Sequence, residues 1–277
     1  MKKVCLITGC STGIGKSMAR QLAAKGYTVY AGVRNIDSLA TLKGENFIPV
    51  KLDVNDNQQI EKTITTIKHQ SGQLDLLINN AGFGAMGPVA EVPLEQIKSQ
   101  FSTNVFAPVA LTQAALPLLV KSKHAQVVNI GSVAGVFTIP FSGVYGASKA
   151  ALHAISDVLR MELKPFNIHV MTVYPGGVSS AFGDNATQKL ADTLVSGSLY
   201  AASIQAINNR AKLSSDSPTT PDMFANTLIK ALHKKKPPAS MFIGHGSSLL
   251  KLAKMILPTG LRERILGKSY SLNQLGR

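Results

Sequence analysis

The amino-acid sequence predicts an α/β fold of the doubly wound type, in which a parallel sheet carries helices on both faces. Over the first two thirds of the 277 residues, short runs of β-branched and other apolar residues alternate with longer amphipathic segments. Nearly continuous apolar strands in such an alternation are typical of a parallel sheet that is buried on both sides. No internal repeat or low-complexity linker occurs before residue 180, so residues 1–277 are expected to form a single domain.

Six strands and four helices are predicted in alternation along this part of the chain. The strands are predicted at Val4–Ile7, Thr28–Ala31, Phe47–Val50, Leu74–Ile78, Gln126–Ile130 and Ile168–Val173. The helices are predicted over about Gly15–Lys25, Asn57–Gln70, Leu94–Leu119 and Tyr145–Leu163. Ligands of doubly wound sheets bind beyond the carboxyl ends of the strands. The residues that directly follow each strand are therefore the candidates for a functional site.

Composition narrows the class of protein. Hydrophobic residues make up 45% of the chain, and no run of about 20 apolar residues predicts a transmembrane helix. Cys5 and Cys10 cannot build a disulfide framework or a metal cluster, so a cytoplasmic location and no metal site are expected. The net charge is +14, and residues from 189 onward hold 13 Lys and Arg against 4 Asp and Glu. No nucleic-acid partner is expected, because no recognised fold or aromatic-basic interleaving accompanies this charge.

A glycine-rich loop, "TGCSTGIG", follows the first predicted strand and opens the first helix. The loop is not a P-loop, because a P-loop would need glycine in place of Cys10. It also does not match the common dinucleotide pattern Gly-x-Gly-x-x-Gly, which would need glycine in place of Met18. The loop directs backbone N–H groups and a helix N-terminus toward a phosphate, whereas an ordinary turn would need only one glycine. It therefore predicts a dinucleotide site formed by Gly9, Ser11, Thr12, Gly13, Ile14 and Gly15.

The end of the second strand indicates which dinucleotide is bound. An acidic residue there would bind the ribose hydroxyls of NAD, but "AGVRN" at residues 31–35 contains none. The guanidinium of Arg34 suits a 2′-phosphate, which favours NADP(H) over NAD(H). A solvated surface arginine, with NAD(H) as the cofactor, is the alternative.

Two further strand ends carry candidate cofactor contacts. Asp53 and Val54 follow the third strand, where the aspartate either accepts the adenine amino group or caps a turn. Asn80, Ala81 and Gly82 follow the fourth strand. Small residues there let a ligand lie across the backbone, and the alternative is a polar turn.

Tyr145 and Lys149 are four residues apart at the start of a predicted helix, so they share one helix face. Tyrosine has an ordinary pKa of about 10, and a nearby ammonium group lowers the pKa of the phenol. Such a pair provides a general acid or base. Ser132 follows the fifth strand and is expected to bind the substrate oxygen together with Tyr145. Tyrosine and lysine at this spacing are frequent on surface helices. The interpretation of this pair as an acid–base group therefore depends on its position after the glycine loop and Gly131-Ser132.

These motifs resemble those of the short-chain dehydrogenase/reductase family, whose fold is of the Rossmann type. They span residues 8–179 and occur in the same order as in that family. The glycine loop and Asn79-Asn80-Ala81-Gly82 match two of its elements. The resemblance implies that Ser132, Tyr145 and Lys149 are the catalytic serine, tyrosine and lysine. It also implies that Lys149 holds the nicotinamide ribose.

Two more segments belong to the same resemblance. Asn104 in "STNVFAP" matches the asparagine that completes the catalytic set and steadies a water in the proton relay. Residues 175–179 match the segment that approaches the nicotinamide, with serine where threonine is more usual. The residues of that segment expected to contact the cofactor are Pro175, Gly176, Val178 and Ser179.

The last third of the chain is expected to set the substrate. Residues of about 180–220 are predicted to form a variable lid, and five aromatic residues are predicted to line an apolar pocket: Phe83, Phe137, Phe141, Phe182 and Tyr200. Together with a resemblance of "TGCSTGIG" and "YAGVRN" to hydroxysteroid and retinol dehydrogenases, this favours a hydrophobic ketone or alcohol, such as a steroid, retinoid or lipid. Ordinary core packing is the alternative.

Residues of about 246–277 form a basic, amphipathic tail that Pro258 and Gly260 divide into two short helices. Such a tail either lies on an anionic membrane surface or packs on its own domain or a partner subunit. A homodimer or homotetramer is expected.

The sequence thus predicts an NADP(H)-dependent oxidoreductase that transfers a hydride between the nicotinamide and a carbonyl or alcohol. The alternatives are an NAD-linked short-chain alcohol dehydrogenase, a 3-oxoacyl reductase, or a non-catalytic regulator that senses NADP(H). A regulator of that kind would be expected to lack the tyrosine or the lysine.

Overall fold

The computed structural model describes residues 2–40, 44, 46–180, 182, 198–212 and 217–275. Within them lie seven strands: β1 Val4–Thr8, β2 Thr28–Val33, β3 Phe47–Lys51, β4 Leu76–Asn79, β5 Gln126–Ile130, β6 His169–Pro175 and β7 Ser240–Ile243. All pair in parallel in one sheet with the spatial order β3-β2-β1-β4-β5-β6-β7. The chain changes direction across the sheet between β1 and β4, which is where doubly wound sheets bind ligands. The predicted fold class is confirmed.

Helices follow most of the strands. They are α1 Gly13–Ala24, α2 Asn57–Ser71, α3 Leu94–Phe101, α4 Ala107–Leu119, α5 Gly143–Leu163, α6 Ile204–Lys212, α7 Pro221–Leu232, α8 Ser247–Ile256 and α9 Thr259–Ser269. Local sequence explains several boundaries. The Asp56 side chain accepts hydrogen bonds from two N–H groups at the start of α2, and Gly72, at φ +75°, ends that helix. Thr220 and Pro221 start α7 in a similar way.

Each face of the sheet is covered by its own group of helices. Strand side chains alternate between the two faces, so Cys5 and Ile7 of β1 lie in one core while Leu6 lies in the other. The first core is closed by α1 and α7, and the second by α2, α4 and the end of α5. This double covering explains why the strands read as continuous apolar runs in the sequence.

Parts of the structure differ from the sequence prediction, and helix α6 is one element that was not predicted. Strand β7 and helix α7 were not predicted, because β7 is short and α7 follows a Ser- and Thr-rich stretch without a preceding strand pattern. The helix predicted over Leu94–Leu119 is helical throughout, but a π-turn at Ser102–Phe106 interrupts it and divides it into α3 and α4. Pro108 has no N–H to donate to the Asn104 carbonyl, which disfavours regular α-helical bonding there.

The C-terminal segment contains two helices, as the sequence predicted, with Pro258 between α8 and α9. None of the described helices is long and apolar enough to cross a membrane. The predicted lid at about 180–220 falls largely outside the described residues, apart from Ser180, Phe182 and the segment 198–212 that includes α6. The extent of the lid therefore stays a prediction.

Candidate active site

The glycine loop leaves the start of α1 open. Gly9 and Gly13 have φ values of +70° and +57°, a region that favours glycine. A Cβ at Gly15 would lie 2.2 Å from the Gly9 carbonyl oxygen, so the loop folds tightly against the helix. The Thr12 side chain makes no capping hydrogen bond at the start of α1, and the first turn of α1 holds no acidic residue. The exposed amide end of α1 suits a phosphate.

The end of β4 is bonded to this loop. The Thr8 hydroxyl accepts from the backbone N–H groups of Asn80 and Ala81, both at 2.9 Å. The Asn80 side-chain amide donates to the Thr8 carbonyl at 2.7 Å and to the Gly9 carbonyl at 3.1 Å. Asn80 therefore fixes the geometry of the loop, while the Ala81 backbone lies directly against Gly9.

The adenosine side of the predicted site is more open. Arg34 is exposed at the end of β2, and the Asn35 side chain caps the turn that follows. Asp53 and Val54 are partly buried after β3. One Asp53 carboxylate oxygen accepts from the Asn55 N–H at 3.0 Å, so this aspartate caps its own turn, which was one of the two alternatives from the sequence. The positive charge of Arg34 without a carboxylate at this strand end fits a 2′-phosphate.

Residues 175–180 cross above the glycine loop. The Gly176 N–H donates to the Ile243 carbonyl at 2.8 Å, and the Ser179 N–H donates to the Thr219 carbonyl at 2.9 Å. A Cβ at Gly13 would lie 3.3 Å from the Ser180 Cβ, so the two segments are close neighbours. Pro175, Gly176, Val178 and Ser179 thus lie at the same edge of the sheet as the glycine loop.

Tyr145 and Lys149 lie one turn apart on α5, as predicted, and both are buried. The Lys149 Nζ donates to the Ile130 carbonyl at the end of β5 at 2.8 Å, and it lies 6.0 Å from the centroid of the Tyr145 ring. Burial lowers the pKa of Lys149 to about 8. Helix α5 therefore delivers an ammonium group and a phenol to the carboxyl end of β5.

The pKa of Tyr145 differs from the sequence expectation. Burial raises it above the ordinary value of 10.0, and the Ser132 hydroxyl and the Arg210 charge oppose that shift. Lys149 was expected to lower this pKa, but it is not among the groups that shift it here. The physical reason is desolvation, which disfavours the phenolate and outweighs the nearby cations.

Ser132 is buried beside Tyr145, and its backbone is fixed by His153. The Ser132 N–H donates to His153 Nε2 at 3.2 Å, and the Ser132 Oγ accepts from the Ala134 N–H at 3.1 Å. Burial, followed by the charge of Lys149, lowers the pKa of His153 to about 4. The imidazole is therefore neutral at pH 7 and available as an acceptor.

Asn104 lies in the π-turn, fully buried. Its side-chain amide donates to the Phe83 carbonyl at 2.9 Å and to the Ser148 Oγ at 3.0 Å, while its Oδ1 accepts from the Phe83 N–H at 3.1 Å. A Cβ at Gly82 would lie 3.0 Å from Asn104 Oδ1 and 3.4 Å from Lys149 Nζ. Asn104 and Lys149 therefore meet at Gly82, and the water relay remains a prediction.

An apolar wall covers the phenol of Tyr145. We call it the aromatic cluster, and its main members are Met86, Phe141, Tyr145, Phe182, Tyr200, Ile207 and Tyr270. The Tyr145 and Phe182 ring centroids are 5.4 Å apart, and Phe141 packs edge-on against Tyr200 at 6.1 Å. Three of the five predicted pocket aromatics thus belong to the cluster. Phe137 is buried outside it, and Phe83 instead binds Asn104 through its backbone.

Two residues of the site were missed by the sequence interpretation. His153 continues the four-residue spacing of Tyr145 and Lys149 along α5, and this spacing was a usable signal. Arg210 of α6 acts electrostatically on Tyr145. No sequence signal marks it, because it is one of many basic residues in the last third of the chain.

The fold and these side chains together define an oxidoreductase of a known family. Residues 3–191 match the sequence profile of the family described as short chain dehydrogenase. The chain therefore belongs to the short-chain dehydrogenase/reductase family, and it is an enzyme of the class that acts on alcohol and carbonyl groups. The resemblance drawn from the motifs is confirmed.

Particular relatives extend the likeness to nearly the whole chain. The chain is 30% identical over 281 residues to the NADPH-dependent 1-acyldihydroxyacetone phosphate reductase of Saccharomyces cerevisiae, covering 99% of this chain and 93% of the relative. It is 31% identical over 278 residues to the NADPH-dependent 3-dehydrocapnine reductase of Ornithobacterium rhinotracheale, covering 96% of each. A solved short-chain dehydrogenase from Streptomyces avermitilis has a TM-score of 0.79 and 25% identity, with 99% of both chains covered.

Proposed function

We propose that the protein is an NADP(H)-dependent carbonyl reductase, or the reverse alcohol dehydrogenase, for a hydrophobic substrate. The observation that carries the proposal is the position of Tyr145. Its buried phenol lies beside Ser132 and Lys149 and under the aromatic cluster, at the sheet edge that also holds the glycine loop. A regulator that only senses the nucleotide would not need a buried phenol there.

The cofactor contacts follow the strand ends. The open start of α1, with Gly9, Gly13 and Gly15, would hold the pyrophosphate, and Arg34 would hold the 2′-phosphate. Asp53 and Val54 would flank the adenine. Ala81, Gly82 and residues 175–179 would flank the rest of the dinucleotide. The names of the yeast and Ornithobacterium relatives, both NADPH-dependent, support this choice of cofactor.

The chain's own side chains would handle the proton. When bound, NADP(H) supplies or accepts the hydride. Tyr145 would donate its phenolic proton to the carbonyl oxygen, and Ser132 would orient that oxygen by a hydrogen bond. Lys149, fixed by the Ile130 carbonyl, would hold the ribose, and Asn104 would keep Phe83 and the neighbouring backbone in place.

The substrate we propose is a ketone or alcohol with an apolar part, because the aromatic cluster offers apolar surface above Tyr145. The yeast relative is named for an acylated dihydroxyacetone phosphate, which contains both a ketone and an acyl group. A panel tests the proposal: octanoyl dihydroxyacetone with and without its phosphate, a steroid ketone and retinal. NADPH consumption with at least one of these is expected, and tight NADPH binding without any turnover would favour the regulator.

The C-terminal helices support a further part of this proposal, contact with a membrane surface. Helix α8 exposes Leu249, Leu252, Met255 and Ile256, and α9 exposes Leu261 and Ile265. Met255 is 74% exposed, which supports an external surface for this side chain rather than packing on its own domain. Lys251, Lys254, Arg262, Arg264 and Lys268 accompany them. An apolar stripe beside basic residues suits an anionic membrane.

A homodimer or homotetramer is also proposed. A second set of apolar side chains is exposed, far along the chain from the C-terminal helices: Phe106 in the π-turn, and Val158 and Met161 on α5. Burial of such side chains between subunits stabilises an oligomer. Light scattering should give a mass above that of the monomer for the wild-type protein, and Met161→Asp should reduce it.

A further inference from the structure

Arg210 is a cation of the site that the proposed reaction does not use. It lies on α6, and the neighbouring Ala206 and Ile207 on this helix pack in the aromatic cluster. The charge of Arg210 acts on both Tyr145 and Tyr270. The guanidinium therefore lies close to the phenol that would meet the substrate, on the side of the apolar cluster rather than of the glycine loop.

The guanidinium is incompletely bonded. Its Nε is buried and has no hydrogen-bond partner among the residues that the structure describes. No ion pair within the described ranges includes Arg210. Burial lowers the pKa of Arg210, yet an arginine side chain stays protonated in proteins. Arg210 is half-buried, and a charge that is partly removed from water without a counter-charge is unfavourable, so an anion at this place would stabilise the site.

The acidic residue Glu91 contacts the segment that precedes α6, and its carboxylate is bonded within that segment. The Glu91 carboxylate accepts from the Ser198 Oγ at 2.6 Å and from the Leu199 N–H at 2.9 Å. Among the described residues, Tyr270, whose interaction with Arg210 is electrostatic, packs on Phe141 at 6.0 Å between ring centroids, so this side of the site is aromatic. Apolar surroundings of this kind strengthen a charge–charge contact.

We propose that Arg210 binds an anionic group of the substrate, a phosphate, sulfonate or carboxylate, close to the carbonyl that Tyr145 protonates. The planar fork of a guanidinium matches two oxygens of such a group. The substrate is then an amphiphile, with its acid group on Arg210 and its apolar part on the aromatic cluster. This inference rests on the proposed function, because it places the reacting carbonyl at Tyr145.

The matched pair of octanoyl dihydroxyacetone and its phosphate tests the inference, because the two ketones differ only in the anion. The wild-type enzyme should prefer the phosphate. Arg210→Met should raise the KM of the phosphate by about tenfold or more, the effect of losing a charge-assisted pair. Because the charge of Arg210 also acts on Tyr145, kcat is expected to change by the same factor for both ketones, whereas the KM of the neutral ketone should change by less than about threefold. Lys62→Met removes a positive charge from an exposed position of α2 and should leave the kinetic constants of both substrates unchanged.

Three results would overturn the inference. An equal fall in kcat/KM for both ketones would mean that Arg210 acts only through the pKa of Tyr145, which the pH profile of kcat would also reveal. A weaker NADPH affinity in fluorescence titration would assign Arg210 to the cofactor. A wild-type enzyme that reduces both ketones equally well would leave the proposed function intact and remove the anion site. If Arg210→Met does not fold, inhibition of the wild-type enzyme by octyl phosphate and not by octanol provides the same test.

Discussion

Tyr145, Lys149 and His153 present a phenol, an ammonium group and an imidazole at successive turns of one helix face. All three side chains are buried, so burial rather than pairing with opposite charge dominates each pKa: that of the phenol rises, and those of the ammonium and the imidazole fall. The neutral His153 then accepts the Ser132 N–H from behind the site. His153 is therefore a positioning residue, because it acts through Ser132.

The low pKa of His153 predicts a loss of stability in acid. The folded-state pKa of about 4 lies below the ordinary 6.5, so the unfolded chain takes up this proton first as the pH falls. The neutral His153 contributes about 3 kcal/mol to the free energy of unfolding. This contribution is fully present above about pH 6.5 and is lost as the pH falls from there to about pH 4. Urea unfolding at a series of pH values measures it.

The variant His153→Gln provides the control, since glutamine does not titrate in this range. It should show a shallower fall in the free energy of unfolding between pH 6.5 and pH 4 than the wild-type protein. Equal slopes for the two proteins would mean that His153 is not held neutral in the folded state.

We propose that Arg34 sets the preference between the two cofactors. It is exposed, and no acidic residue occupies the end of β2. Arg34→Asp should remove the contact with the 2′-phosphate and supply an acceptor for the ribose hydroxyls. The ratio of kcat/KM for NADPH to that for NADH is expected to fall by about tenfold or more. An unchanged ratio would leave Arg34 as a solvated surface residue.

At the scale of elements, the contact between the glycine loop and the start of α1 is the tightest feature of the site. A methyl group at Gly15 would lie 2.2 Å from the Gly9 carbonyl oxygen and 2.5 Å from the Asn80 amide nitrogen. Neither neighbour can move freely, because Asn80 is itself bonded to the loop. The loop geometry and the hydrogen bonds of β4 are thus one unit.

Gly15→Ala should therefore weaken both folding and cofactor binding. Overpacking of this kind costs about 1–3 kcal/mol, and thermal unfolding with and without NADPH measures the two effects. The matched control is Gly260→Ala in α9, where a Cβ would meet no atom within 4 Å. Alanine there should stabilise the helix by up to about 1 kcal/mol. Equal effects of both substitutions would contradict the close packing at Gly15.

Several elements could be predicted from sequence because local signals agree with the fold. The strands β1 to β6 are mostly apolar runs, and the residues that follow them carry the motifs of the site. The π-turn could not be predicted, since it depends on how Pro108 and the buried Asn104 are accommodated between α3 and α5. Strand β7 was missed because a short edge strand has too few residues to show a period.

At the scale of the whole molecule, the apolar surface of α8 and α9 lies next to the substrate side of the site. Tyr270, directly after α9, packs on Phe141 in the aromatic cluster. A membrane that contacts α8 and α9 would therefore lie near the place where an amphiphilic substrate enters. The basic residues that accompany this surface account for part of the net charge of +14.

Vesicle binding tests this arrangement. The wild-type protein should co-sediment with vesicles that contain phosphatidylserine, and less with pure phosphatidylcholine, because the basic residues add about 1 kcal/mol each near an anionic surface. High salt should weaken the binding. Leu249→Ser with Met255→Ser should reduce it, whereas Met223→Ser, at another exposed position on α7, should not. If the double variant instead lowers the mass in solution and leaves vesicle binding unchanged, α8 is a subunit interface.

The scale of the whole molecule also marks the limit of sequence-based prediction. The amphipathic pattern of the tail allowed either internal packing or an external surface, and only the folded structure exposes Leu249 and Met255 to solvent. Likewise, the role of Arg210 depends on how α6 lies against Tyr145, which no local pattern encodes.

The most direct test of the account is the reaction of the Tyr145→Phe variant under single-turnover conditions, with NADPH bound and a ketone of the panel supplied. Removal of the proton donor should slow hydride transfer by about 100-fold or more, while the dissociation constant for NADPH stays within about threefold of the wild-type value. Near-normal hydride transfer in Tyr145→Phe would contradict the account, because the buried phenol would then not be the group that protonates the carbonyl.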